Sequence, residues 1–224
     1  MVTQQQLDQL YSECQKLPKS SVIEEEAHVF GSPLLIAMST VLSLNRKWYS
    51  HALPARKRFE NGEYSYLSKK TMSQFVKLAE EVVADTGDWK LLSNALWKNR
   101  EWQKAHQLTQ FAEYLSNWCN KFYPDETETN AFKKWAAAVP KEQFIGKIKG
   151  LGPRAYEQLL WYIEGINSIK LDRHVAKFLR ASLGPSVSES DGIAALKAVA
   201  GQMGVSATSL DARIWDYMQA QANA

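Results

Sequence analysis

Cysteine is nearly missing from this chain of 224 residues: Cys14 and Cys119 are the only two, and they lie far apart. Two thiols cannot build a disulfide framework or a four-thiolate metal ribbon, and their scarcity points to a reducing, cytoplasmic setting. Long apolar runs are also lacking; none approaches the roughly 20 residues needed to span a bilayer. The N-terminal stretch MVTQQQLDQLYSECQKL is polar and amphipathic, without the apolar core of a signal segment. The chain is therefore expected to be soluble, unprocessed and independent of membranes. Strand-type alternation is confined to Tyr64-Ser65-Tyr66-Leu67, too short to found a sheet. Repeats and low-complexity tracts are absent. His28, His51 and His106 have no metal-ligand spacing with the cysteines or with a helical carboxylate pair, so no catalytic metal is expected.

What is present argues for a compact helical protein. A hydrophobic content of 45% with 11% aromatic residues is enough for a core in one large domain or two small ones. Helical spacing recurs in Leu7, Leu10 and Tyr11, in Phe75, Leu78, Val82 and Val83, and in Phe111, Leu115 and Trp118. Pro140 precedes another helix, Gly184-Pro185 and residues 188–191 mark a break before a helix over 193–199, and residues 210–217 read as a closing amphipathic helix. The acidic stretch 124–130 reads as a surface loop. The expected class is all-α.

The net charge of +3 is small, yet residues 141–180 hold eight Lys and Arg against four acidic residues, which suits a polyanion. Residues 45–58 add Arg46, Lys47, Arg56, Lys57 and Arg58, interleaved with Trp48, Tyr49 and His51. Cations among aromatics compose a surface for phosphates and bases; a solvated helix face would read the same way.

Gly150 and Gly152 bracket Leu151 between two helical stretches. Such a turn can bring backbone N–H groups close to a phosphate at the N-terminus of the next helix, with Lys149 and Arg154 beside it. The same glycines could merely end one helix and turn the chain. Downstream, Asp172 stands at the mouth of a helix beginning at Arg173. Aspartate is a favoured N-cap, and it can equally offer a carboxylate to a reaction; Arg173, Lys170 and the helix N-terminus all attract negative charge to that point.

Together the hairpin and Leu171-Asp172-Arg173-His174 resemble the helix-hairpin-helix DNA glycosylase superfamily, which includes endonuclease III-like and alkyladenine-type enzymes. The family places its catalytic aspartate eighteen residues beyond a variable hairpin position, as Asp172 stands to Arg154. The apolar run from Pro33 to Leu44, followed by Asn45, resembles the family's long early helix, and the residue at the Asn45 position enters the space left by an extruded nucleotide. A third match, Glu101-Trp102-Gln103-Lys104-Ala105, puts Arg100 near the second intercalating position. Tyr156 departs from the family's small alanine, with Ala155 one place earlier.

The resemblance implies two helical domains flanking a cleft with Asp172 at its edge. Residues 29–168 would form a six-helix domain carrying the hairpin, and 1–28 with 169–224 a second domain made of both termini. It implies a monofunctional glycosylase: bifunctional members carry lysine where this chain has Arg154, and a permanently protonated guanidinium cannot form the Schiff base. Asp172 would stabilise the charge that builds on deoxyribose as the base leaves, and would orient or deprotonate the attacking water. Contacts to DNA would come from Asn45, Arg46, Arg100, Lys149, Gly150, Leu151, Gly152, Arg154 and Arg173. Trp48, Tyr49 and Trp161 would line the base pocket, with Trp97, Trp102 and Tyr162 also available. His174 would serve as a hydrogen-bonded structural histidine.

The implied partner is double-stranded DNA with a damaged or modified base, met by a monomer in the cytoplasm, at the nucleoid of a prokaryote. No cofactor is implied: the four-cysteine iron–sulfur cluster of some relatives cannot form here, and a monovalent cation on hairpin carbonyls would not be catalytic. The role would be base excision repair or defence against phage DNA with modified bases. Two other classes fit the same residues, a non-catalytic structure-specific DNA-binding module and an all-helical protein-interaction domain with an incidental basic surface.

Overall fold

A computed structural model describes residues 2–22, 29, 31–44, 48–61, 70–97, 101–163 and 168–223. All regular elements among them are helical. By internal contacts the chain divides into two compact units: Met1–Ala27 with Gly165–Ala224, and His28–Glu164.

The larger unit is organised by two helices of different character. Helix α2, Pro33–Ser43, starts at Ser32, whose hydroxyl accepts from Leu35 N, with Pro33 in the first turn. Nine of its eleven residues are buried, from Pro33 to Leu42, so it is a core helix apolar on every side. A π-helical turn, Trp48–Ala52, and α3, Leu53–Glu60, follow. Next come α4, Met72–Thr86, and α5, Trp89–Trp97. A capping box at Thr71 and Gln74 opens α4, and Gly87 ends it in the left-handed conformation at φ 65°.

The 21-residue helix α6, Trp102–Phe122, is the hub of this unit. Its buried stripe of Ala105, Leu108, Phe111, Ala112, Leu115 and Cys119 keeps a helical period, and it packs on α2, α4, α5 and the helix that follows it. Burying each large apolar side chain of this kind contributes roughly 1.5–3 kcal/mol. Helix α7, Glu128–Ala138, begins inside the acidic stretch expected to be loop. Thr127 caps it, and Glu128 supplies the reason it forms there: its Oε1 accepts from Met72 N at 2.7 Å, tying α7 to the start of α4. The short α8, Lys141–Phe144, and α9, Pro153–Trp161, close the unit, with α9 against α2.

The smaller unit has α1, Gln4–Gln15; α10, Arg173–Leu183; α11, Glu189–Gln202; and α12, Ala207–Asn223. They surround a core of Leu10, Cys14, Val175, Phe178, Leu179, Leu196, Val199, Leu210 and Ile214. The two ends of the chain are stitched together by packing of α1 on α10 and α11, and by Gln6 Nε2 donating to the Leu183 carbonyl at 2.8 Å.

One correction concerns the basic run at 45–58. Arg56 is only 1% exposed and belongs to the interior, its guanidinium 5.3 Å over the Trp48 ring and its Nε 2.9 Å from Glu60. A cation held inside by a carboxylate and an indole cannot face a DNA backbone. Trp97, offered as a possible base platform, is sealed in the core, with Nε1 donating to Ser93.

Candidate nucleic-acid interface and the Asp172 site

The glycine turn is built by groups on three helices. Gly146 and Gly150 have φ of 82° and 87°, a region that side chains disfavour, and these two residues turn the chain between α8 and α9. From α6, Gln107 Nε2 donates to the Lys149 carbonyl at 3.0 Å, and its amide fills the space where a β-carbon at 150 would stand. Tyr156 on α9 is buried against Phe144, ring centroids 5.5 Å apart, and its hydroxyl donates to the Val139 carbonyl at 2.7 Å. The Tyr156 ring thus packs behind the turn. Lys141 and Glu157 brace the outside with an ion pair of 2.7 Å.

The face left over is glycine-rich and cationic. Gly152 is the N-cap of α9, Pro153 occupies the first turn, and no side chain caps the helix. A β-carbon on Gly152 would meet nothing within 4 Å, so the approach to this helix end is open. Lys149 and Arg154 are exposed on either side. An uncapped helix N-terminus with flanking cations is a fit for an anion. Leu151 differs from its assignment as a DNA contact. Its side chain is 2% exposed and its N–H is committed to the Ile148 carbonyl at 3.1 Å, so it anchors the turn from below.

In the smaller unit Asp172 is the N-cap of α10. Its Oδ1 accepts from His174 N at 2.8 Å and from Val175 N at 3.0 Å. Oδ2 accepts no hydrogen bond from the described residues and lies 4.0 Å from Lys170 Nζ, with the side chain 22% exposed. The cap therefore occupies one oxygen of the carboxylate and leaves the other facing Lys170.

His174 is buried, and its Nε2 takes the Arg173 Nε–H at 3.2 Å and sits 3.2 Å from Gln219 Nε2. Burial pulls its pKa below the ordinary 6.5; nearby Asp172 opposes the shift, while Arg173, Lys170 and Lys177 add to it. An accepting Nε2 and a lowered pKa both describe a neutral ring with its proton on Nδ1.

The segment leading to Asp172 is fastened to α12. Thr208 Oγ1 accepts from Ser168 N at 3.3 Å and donates to Ser168 O at 3.2 Å, and Asp211 accepts from Lys170 N at 3.2 Å. These residues were not singled out in the sequence. One signal was there: Asp211 falls on the same helical face as Ala207, Leu210 and Ile214, an acid in an apolar stripe, and it is 3% exposed.

Of the remaining assigned residues, Arg173 is exposed, Trp48 is half-buried against Arg56, and Trp161 is buried beside Tyr162, ring centroids 5.0 Å apart. Trp102 is 41% exposed at the start of α6. Asn45, Arg46 and Arg100 lie outside the described residues, as do the side chain of Tyr49 and the stretch Tyr64–Leu67. Among the described residues no group of three or more His, Cys, Asp or Glu could hold a metal ion, and no helix is long and apolar enough to cross a membrane.

Residues 99–219 match the model of one protein family, described as Domain of unknown function (DUF8548), and the chain belongs to that family. No curated protein and no solved structure matches it.

Proposed function

We propose that this member of the DUF8548 family is a monofunctional DNA glycosylase of the helix-hairpin-helix class, which extrudes a damaged or modified base from duplex DNA and releases it by hydrolysis. The observation that carries the reading is the split use of Asp172: Oδ1 is spent on two backbone N–H groups of α10, and Oδ2 is left open. The cap thus does not compete for Oδ2, which stands 4.0 Å from the Lys170 ammonium and is free to serve a reaction while Oδ1 holds the helix.

In the proposed reaction the N-glycosidic bond breaks with its electron pair leaving on the base, and positive charge gathers on the deoxyribose. Oδ2 of Asp172 stabilises that charge and orients a water whose oxygen bonds to the anomeric carbon, its proton passing to the carboxylate or to solvent. The turn at 150–152 grips a backbone phosphate through the open N-terminus of α9, with Lys149 and Arg154 alongside. Asn45 fills the place of the extruded nucleotide. Arg154 cannot form an imine, so the abasic strand stays whole.

The test is incubation with duplexes carrying candidate modified bases, followed by hot alkali. Alkali-dependent breaks that vanish in Asp172→Asn support the reading; strand cleavage without alkali contradicts the role given to Arg154. Tight, salt-sensitive duplex binding with no base released from any substrate would leave a DNA-binding module in its place. Mass spectrometry of bases released from damaged host DNA and from modified phage DNA separates repair from defence.

A further inference from the structure

Resting on the reading of Asp172 as the catalytic carboxylate, we infer that Asp211 is a positioning residue: from α12 it holds the backbone at Lys170 and so aims Oδ2 of Asp172. The segment 168–172 has no regular structure, and its placement depends on what ties it down. Thr208 and Asp211 of α12 both tie it down. Thr208 Oγ1 bonds both the N–H and the carbonyl of Ser168, and three residues further along α12 the Asp211 carboxylate takes the Lys170 N–H at 3.2 Å. From Lys170 the link to Asp172 is a single tight turn, with Asp172 N donating to Lys170 O at 2.8 Å. The far side of Asp172 is fixed by α10 through Oδ1. The carboxylate is thus held between two helices: Asp211 of α12 fastens the chain two residues before it, and Gln219 of the same helix meets His174 two residues after it.

The burial of Asp211 is what makes this more than a loop contact. A carboxylate 3% exposed on the apolar stripe of a helix is unfavourable unless its bonds repay desolvation, and an apolar residue would pack there at no such penalty. What the acid supplies and an apolar residue cannot is an acceptor for the Lys170 N–H. That bond also sets the base of the Lys170 side chain, whose ammonium stands 4.0 Å from Oδ2. A displacement of about 1 Å in a catalytic group can lower a rate by about a hundredfold, so a tie at this point bears on chemistry as well as on stability.

The experiment uses two abasic-site probes in the same duplex: a neutral tetrahydrofuran and a cationic pyrrolidine that mimics the charge on the departing sugar. The ratio of their affinities reads how well the Asp172 carboxylate faces that charge, without need of the natural base. The wild-type protein is expected to prefer the cation about tenfold or more, and Asp172→Asn to lose the preference. Asp211→Ala is expected to lose most of the preference while keeping its affinity for tetrahydrofuran, and Asp211→Asn, which keeps an acceptor oxygen, to restore it. Where Asp211→Ala does not fold, Thr208→Val, an isosteric change at a half-buried site, is expected to reduce the preference through the other tie. A wild-type preference retained in Asp211→Ala, or in Thr208→Val where that variant stands in, overturns the inference alone. No preference in the wild-type protein, or one unchanged in Asp172→Asn, overturns the reading of Asp172 and the inference with it.

Discussion

The side-chain amide of Gln107 stands where a β-carbon at Gly150 would have to be, while its Nε2 donates to the carbonyl of Lys149 at 3.0 Å. Position 150 is thus restricted by a φ of 87°, and a β-carbon there would also push aside the Gln107 amide that holds the turn. Gly152, two residues on, has ordinary extended backbone and open space around it.

The two glycines should therefore answer differently to alanine. Gly150→Ala is expected to destabilise the chain by about 1–3 kcal/mol, read by urea unfolding. Gly152→Ala should change stability by less than about 0.5 kcal/mol, yet weaken duplex DNA binding because its methyl group enters the phosphate approach. Unchanged DNA affinity in a well-folded Gly152→Ala would remove the turn from the interface.

The cap made by Asp172 and the chemistry proposed for it can be tested apart. Asparagine keeps an acceptor oxygen for the N–H groups of His174 and Val175, so Asp172→Asn should keep wild-type stability within about 0.5 kcal/mol and abolish base release. Asp172→Ala should lose both the activity and about 1 kcal/mol of stability. Equal base release by wild type and Asp172→Asn would reduce Asp172 to a cap.

His174 makes stability depend on pH in a defined direction. Its folded pKa lies below the 6.5 of the free side chain, chiefly through burial, so between the two values the unfolded chain binds the extra proton. Its contribution is complete above about pH 6.5 and is lost as the pH falls through that value toward the lowered one. Urea unfolding between about pH 7.5 and pH 5.5 should show less loss of stability in His174→Gln than in the wild type. Glu128, whose pKa burial raises above 4.5, contributes with the opposite sign but is common to both proteins.

Both thiols should be silent in the folded chain. Burial pushes Cys14 and Cys119 up to about 12, so neither offers thiolate at neutral pH. A thiol-specific chromogenic disulfide should react with both only as urea unfolds the protein. Rapid reaction of either thiol under native conditions would contradict the burial of its helix.

Much of the helical layout was legible along the chain because it is encoded over three or four residues. Thr3, Ser32, Thr71, Thr127 and Ser188 each accept a backbone N–H at the start of a helix, and the stripes around Leu10, Phe111 and Leu210 keep the helical period. Residues 128–130 were misjudged as loop because the acidic composition outweighed the local Thr127 cap; the Glu128 contact to Met72 that adds to it comes from another helix. Short-range spacing also could not tell that Arg56, one cation in a basic run, would be enclosed by Trp48 and Glu60.

The sequence by itself determined that the chain is helical and where a glycine turn and a helix-capping aspartate stand, the aspartate eighteen residues beyond Arg154, because propensity, capping and φ preference act locally. Only the tertiary structure decided which oxygen of Asp172 is spent on the cap, that Gln107 closes over Gly150, and that Asp211 reaches back across 41 residues to Lys170. Those contacts depend on how helices pack, and no local spacing records which distant side chain will fill a given space.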